Sequence, residues 1–153
     1  MARNLTILAI LILPAERAAA DEKFQLTKEE QEVVDLTNKE RKAADLPPLK
    51  INEKLVNAAR AHSANMAKQE KLDHTLDEKG PAERLKDVNY AFATWAENVA
   101  EGQRTAAEVV ASWMDSEMHK ANILSKNTEI GIGVAKGADG KKYWTQVFGV
   151  PAK

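Results

Sequence analysis

The apolar residues change their spacing near residue 130, and this change constrains the fold more than any other feature of the sequence. Upstream, in segments such as 55–66, apolar side chains recur every three or four residues, which is typical of one face of a helix. From 130 to 134, isoleucine and valine instead alternate with glycine, which predicts a strand. Segment 143–148 is aromatic and β-branched and predicts a second strand, joined to the first by turn residues at 138–140. We therefore predict helices followed by a terminal hairpin, which is an α+β domain in layers.

Short motifs indicate where the predicted helices begin and end. Segments 27–30 and 105–108 both carry the capping-box pattern S/T-x-x-E, which opens a helix. The prolines at 47–48 cannot continue a helix, so the first one must end before them. Asn52 is a favourable N-cap for a second helix, and the Gly-Pro pair at 80–81 can start a short third one.

Composition excludes several classes of protein. The chain has 153 residues, 22 basic and 23 acidic side chains and a net charge of −1, so a basic nucleic-acid-binding surface is not expected. It has no cysteine, which excludes disulfides, thiolate zinc sites and cysteine nucleophiles. Any imidazole chemistry must use His62, His74 or His119, and His62 falls on the apolar face of the second helix, as a core or boundary residue would.

The N-terminal segment has the layout of a secretory signal peptide. A basic Arg3 precedes an apolar run at 5–13, and small residues at 18–20 fit an A-x-A cleavage site. The run is shorter than the ~20 apolar residues that span a bilayer. We predict a signal peptide at 1–20 and one exported domain at 21–153, secreted, extracellular or periplasmic, without an integral membrane segment after cleavage. The alternative is an amphipathic or buried N-terminal helix.

Nine short segments occur together and in order along the predicted mature chain. They are 38–41 (NKER), 46–49 (LPPL), 55–66, 74–85, 96–100 (AENVA), 113–116 (WMDS), 119–124 (HKANIL), 130–134 (IGIGV) and 143–149 (YWTQVFG). Through these segments, the chain from Val33 to Gly149 resembles the CAP superfamily, also called SCP-like or the cysteine-rich secretory, antigen 5 and pathogenesis-related proteins. It is most similar to the small bacterial members.

The resemblance implies a three-layer α-β-α sandwich with a cleft that histidines and glutamates line. His74 matches the first cleft histidine of the family, and Glu97 matches its first cleft glutamate. Ser116 and Tyr143 stand where eukaryotic members carry the second glutamate and the second histidine. The bacterial motif His-x-x-Asn-Ile-Leu supplies His119 instead.

These matches define the residues that we expect at the site. The predicted cleft or ligand-binding residues are His74, Glu97, Asn98, Ser116, His119, Asn122 and Tyr143. The resemblance also implies that His74, His119 and Glu97 could hold a divalent metal, Zn²⁺ above all, since imidazole and carboxylate groups are its ligands. The alternative is a hydrogen-bonded polar cluster in which a histidine donates to Glu97.

Two functions follow from this set. The first, which we favour, is a secreted binding domain for a small apolar or amphipathic ligand such as a lipid, for an envelope component or for a protein partner. The second is a zinc-dependent hydrolase or protease, with Glu97 as a metal ligand or as the base. The missing second glutamate argues against the hydrolase hypothesis. Ser116 also lacks the Gly-x-Ser-x-Gly context of a serine nucleophile. We therefore favour a protein that is not an enzyme and assign no catalytic residue.

Three further expectations concern aromatic and basic residues. We expect Trp113 and Trp144 in the core, and Trp95 either there or in the wall of the cleft beside Glu97. Arg41 and Arg84 are expected to pair with carboxylates inside the protein.

Overall fold

The computed structural model describes residues 24–153, so the predicted signal peptide lies outside the described residues. Residues 24–153 contain five helices and four strands. The helices are α1 (Lys28–Ala43), α2 (Glu53–Gln69), α3 (Pro81–Asp87), α4 (Ala106–Met114) and α5 (Glu117–Ile123). The strands are β1 (Lys50–Ile51), β2 (Phe92–Glu101), β3 (Glu129–Lys136) and β4 (Lys142–Pro151). None of the helices within 24–153 is both long enough and apolar enough to cross a membrane.

The predicted helix starts are confirmed by their hydrogen bonds. At α1, the Glu30 N–H donates to Thr27 Oγ1 at 3.2 Å and the Thr27 N–H donates to Glu30 Oε2 at 2.8 Å, which completes the capping box. At α2, Asn52 Oδ1 accepts from the Lys54 N–H at 2.9 Å. These bonds pair backbone donors that the first turn of a helix leaves free, so local sequence alone decides where α1 and α2 begin.

The four strands form one sheet in the order β1-β3-β4-β2. The predicted hairpin of β3 and β4 is confirmed, and its strands are antiparallel. β2 pairs antiparallel with β4 and forms one edge of the sheet, whereas the two-residue β1 runs parallel to β3 at the other edge. β2 was not predicted from the sequence, because its small and polar residues show no apolar alternation. The strand forms because β4 offers it a backbone partner along its length.

Helices cover both faces of the sheet, which confirms the predicted α-β-α sandwich. α2 and α3 pack on one face, where Leu55, Ala59 and Leu85 meet Val147. α1, α4 and α5 pack on the other. The larger core cluster there includes Val33, Val109, Trp113, Ile123, Ile130, Trp144 and Phe148, so Trp113 and Trp144 lie in the core as expected.

The alternating glycines of β3 let α2 approach the sheet closely. A Cβ atom on Gly131 would lie 2.1 Å from the carbonyl carbon of Leu55, and one on Gly133 would lie 2.4 Å from that of Ala59. Both neighbours are helix backbone and cannot move aside. The small residues that mark the strand in the sequence are therefore also what allows the helix to sit against it.

Contrary to expectation, Arg41 does not pair with a carboxylate among the described residues. Its side chain is 1% exposed, and its guanidinium donates instead to the backbone carbonyls of Pro47, Ile123, Ser125 and Asn127. These four bonds join the end of α1 to the loop before β1, to the end of α5 and to the loop between α5 and β3.

Candidate ligand-binding cleft

The cleft is built around the carboxylate of Glu97 on the edge strand β2. The Glu97 side chain is 1% exposed. His74 Nδ1 donates to Glu97 Oε1 at 2.9 Å, and Arg84 Nη2 donates to Glu97 Oε2 at 2.6 Å. A buried carboxylate is costly without partners, and here each oxygen has a donor.

Arg84 positions His74 as well as Glu97. From α3, the other terminal nitrogen of Arg84 donates to the backbone oxygens of His74 at 2.8 Å and Lys79 at 3.0 Å. The loop between α2 and α3 is thereby tied to β2 by one guanidinium. The expectation that Arg84 pairs with an internal carboxylate is confirmed.

The imidazole of His74 is buried on one side and open on the other. Its side chain is 50% exposed. The hydrogen bond to Glu97 raises the pKa of His74, while desolvation and the nearby Arg84 charge oppose that rise. Since Nδ1 is bound to Glu97, Nε2 is the ring atom left for a ligand: an acceptor when the ring is neutral and a donor when it is protonated.

A cavity of about 400 Å³ opens beside this cluster. His74, Pro81, Trp95, Ala96, Glu97 and Asn122 line it. Trp95 is 38% exposed, so its indole forms a wall of the cleft rather than part of the core. The cleft therefore combines one exposed aromatic surface with a buried polar floor.

α4 and α5 together close the outer edge of β2 beside the cleft, through Trp113 and Asn122 respectively. Asn122 Nδ2 donates to the Glu97 carbonyl at 3.2 Å and to Asn98 Oδ1 at 2.8 Å, and Trp113 Nε1 donates to the Val99 carbonyl at 3.3 Å. These bonds occupy carbonyls that an edge strand would otherwise present to other chains.

The family model described as the cysteine-rich secretory protein family, CAP, matches residues 34–148. The chain belongs to the CAP family. This CAP domain is 42% identical over 121 residues to the Bacillus subtilis protein YkwD, with 78% of this chain aligned to 46% of that protein. It therefore spans less than half the length of that relative.

Solved structures agree with the CAP assignment. The CAP domain resembles an extracellular protein with an SCP domain from Bacillus anthracis, with a TM-score of 0.71 and 26% identity over 83% of this chain and 45% of that one. It also resembles an outer surface protein from Borrelia burgdorferi, with a TM-score of 0.76 and 24% identity over 84% of this chain and 97% of that one. The second likeness shows a shared fold.

The CAP cleft gathers only part of the predicted site. His74, Glu97 and Asn122 line the cavity, whereas four other predicted residues do not: Asn98, Ser116, His119 and Tyr143. Asn98 is fully buried and donates to the His119 carbonyl and to Gln146 Oε1. Tyr143 is also fully buried, and its hydroxyl donates to Asp139 at 2.7 Å.

Ser116 lies directly before α5, and His119 lies within it. Ser116 is the N-cap of α5, without a side-chain capping bond. His119 is half-buried, and desolvation together with the charge of His74 lowers its pKa. The charge of His74 thus acts on His119, although His119 does not line the cavity.

His62 lies outside the cleft, whereas Pro81 and Arg84 belong to it. His62 is buried with Nε2 2.8 Å from the Asp73 carbonyl, which confirms it as a core histidine. Arg84 and Pro81 were not predicted at the site. Both fall within segment 74–85, which resembles the family, and this resemblance is the sequence feature that could have placed them at the site.

The residues present do not fit a zinc ion in this conformation. Within the described part of the chain, no group of three or more His, Cys, Asp and Glu side chains could hold a metal ion. Both oxygens of Glu97 are engaged, and one of them by a guanidinium whose charge repels a cation. His74 does donate to Glu97, as the predicted hydrogen-bonded alternative requires.

Proposed function

We propose that this CAP domain is an extracellular binding domain whose cleft takes a component of the cell envelope. The observation that carries this proposal is the exposed indole of Trp95 beside a buried carboxylate with both oxygens already bonded. Such a surface offers contact area and a few fixed polar groups, which is what a ligand-binding cleft requires.

The ligand that suits the cleft has an apolar face and a hydrogen-bonding edge. The apolar face would lie against Trp95 and Pro81, since aromatic rings bury large areas at low entropic cost. The polar edge would meet Nε2 of His74, which can accept or donate. Sugar rings and amphipathic lipid headgroups both have this chemistry.

An extracellular location is supported by two observations. The predicted leader at 1–20 has the layout of an export signal. The similar Bacillus anthracis protein is described as extracellular, and the Borrelia burgdorferi one as an outer surface protein.

A zinc-dependent hydrolase is the weaker proposal. Glu97 could act as a base or a metal ligand only after losing a bond to Arg84 or His74. Calorimetric titration with zinc tests the metal site on which this proposal depends. Equal heats for wild type and His74→Ala would remove the site, and uptake abolished by the substitution would show that His74 binds zinc.

The binding proposal is tested with two envelope probes. Purified cell-wall sacculi and vesicles containing phosphatidylglycerol are sedimented with the wild type, Trp95→Ala, His74→Ala and Ile51→Ala. Ile51 is a matched control, because it is 40% exposed and lies in β1 at the opposite edge of the sheet.

We expect one probe to retain the wild type and the Ile51→Ala variant but to lose most of the Trp95→Ala and His74→Ala proteins. Retention by sacculi would identify a wall component, and retention by vesicles a lipid. Equal retention of all four proteins, or retention of none by either probe, would refute the proposal.

A further inference from the structure

A second cavity, which we call the proline pocket, lies at the β1 edge of the sheet, away from the cleft. Its volume is about 590 Å³. It is lined by the loop residues 46–48 and 125–128, by Arg41, Lys50 and Glu129, and by Pro151 at the end of β4. None of the residues that line the cleft borders it.

The proline pocket contains a buried positive charge. The guanidinium of Arg41 donates through four of its five N–H groups to backbone carbonyls. No carboxylate among residues 24–153 forms an ion pair with it. Carbonyl dipoles orient this charge without neutralising it, and burial lowers the pKa of Arg41, as expected for a charge without a counter-ion.

Two exposed lysines strengthen the positive field. Lys50 and Lys126 line the pocket from β1 and from the loop after α5, and neither forms an ion pair within residues 24–153. The acidic lining residue is Glu129. Its Oε2 already accepts from Asn52 Nδ2 at 3.1 Å and from the Tyr90 hydroxyl at 2.7 Å.

The remaining wall of the proline pocket is apolar and rigid. Leu46, Pro47, Pro48 and Pro151 line it, and a proline ring has little conformational freedom to lose when a ligand packs against it. A pocket with three cationic groups, one engaged carboxylate and an apolar wall is complementary to a molecule that is anionic at one end and apolar at the other.

We propose that the proline pocket binds a small organic anion, with a carboxylate or phosphate group in the field of Arg41, Lys50 and Lys126 and an apolar body against the prolines. This site is separate from the cleft, so it neither requires nor excludes the proposed envelope binding.

The test uses 4-phenylbutyrate and phenyl phosphate as anionic probes. The uncharged control is 4-phenylbutanol, and inorganic phosphate is the anion without an apolar body. Each is titrated into ¹⁵N-labelled protein while the amide shifts of Leu46, Leu49, Lys50 and residues 125–129 are followed, since prolines 47 and 48 have no N–H. The variant Lys50→Gln/Lys126→Gln is compared with Lys68→Gln/Lys136→Gln, which removes the same charge from exposed lysines outside the pocket.

We expect at least one organic anion to shift these amides in the wild type and in the Lys68→Gln/Lys136→Gln control. The affinity of that anion for the Lys50→Gln/Lys126→Gln variant should be about tenfold lower than for the wild type. The wild type should bind 4-phenylbutanol about tenfold more weakly than it binds the anion.

Three results would overturn the proposal. The first is the absence of shifts at Leu46, Leu49, Lys50 and residues 125–129 with both organic anions. The second is equal binding by the two double variants. The third is a control that binds as tightly as the organic anions. If 4-phenylbutanol did so, the charge would play no part, and if inorganic phosphate did so, the apolar body would play no part.

Discussion

Arg84 Nη2 lies 2.6 Å from Oε2 of Glu97, and this ion pair is almost completely removed from solvent. It joins α3 to the edge strand β2, and the same guanidinium holds the backbone of His74. The cleft therefore depends on a pair of residues 13 positions apart in the sequence.

Replacing Arg84 by methionine should strongly destabilise the protein. The substitution leaves the Glu97 carboxylate buried without its cationic partner, and breaking a buried pair typically costs about 3–5 kcal/mol. Urea denaturation would measure the loss in the free energy of unfolding. The control is Lys79→Met, which breaks an exposed pair with Asp87 and should cost less than about 1 kcal/mol. Similar losses in the two variants would contradict the assigned role of Arg84.

The His74 imidazole should titrate above the ordinary histidine pKa, and that of His119 below it. Glu97 raises the first, whereas desolvation and the His74 charge lower the second. Proton NMR of the two rings across pH 4–9 would resolve both titrations, and Glu97→Gln should bring the His74 pKa down. An unchanged His74 titration in that variant would show that Glu97 is not the cause.

The raised pKa of His74 also predicts how stability varies with pH. Because the folded protein holds this proton more tightly than the unfolded chain, the stabilisation is fully present below the unfolded pKa of about 6.5 and disappears as pH rises through the folded value. His74→Gln should therefore cost more stability at pH 5 than at pH 8, as urea denaturation at both pH values would show. An equal cost at both would argue against the predicted linkage.

Trp113→Ala should be far more destabilising than Trp95→Ala. Trp113 is 1% exposed and donates to the Val99 carbonyl, so its removal leaves a cavity that costs about 3–5 kcal/mol. Trp95 is 38% exposed and should matter mainly for binding. Thermal unfolding of the two variants provides the comparison, and a wild-type melting temperature for Trp113→Ala would refute its place in the core.

Gly133→Ala should destabilise the packing of α2 on β3. The added Cβ would lie 2.4 Å from the Ala59 carbonyl carbon, and overpacking against backbone costs about 1–3 kcal/mol. Gly80→Ala is the control, because its Cβ would meet the flexible end of the Glu83 side chain at 3.0 Å. Chemical denaturation that ranks Gly80→Ala as the more harmful change would oppose this interpretation.

Local patterns were sufficient to predict much of the fold. The capping box at 27–30, the N-cap Asn52 and the β3–β4 hairpin depend on neighbouring residues, and the structure confirms all three. β2 could not be predicted in the same way, because its residues become a strand only through pairing with β4.

The candidate site shows the same division between local and long-range information. The motifs at 74–85 and 96–100 led to His74 and Glu97, which do meet. Family-like positions also suggested Asn98 and Tyr143 as cleft residues, but both side chains are buried away from the cavity. Sequence position does not tell which face of a strand a side chain occupies until the strand's register is known.

By itself, the sequence determined the class of protein: a chain without cysteine and nearly neutral, with helices ahead of a glycine-alternating hairpin and the motifs of the CAP family. Only the tertiary structure decided the chemistry of the site. It brought Arg84 onto Glu97 and buried Arg41 among backbone carbonyls. The physical reason is that periodicity and capping act over a few residues, whereas the partner of a buried charge is chosen by how distant elements pack.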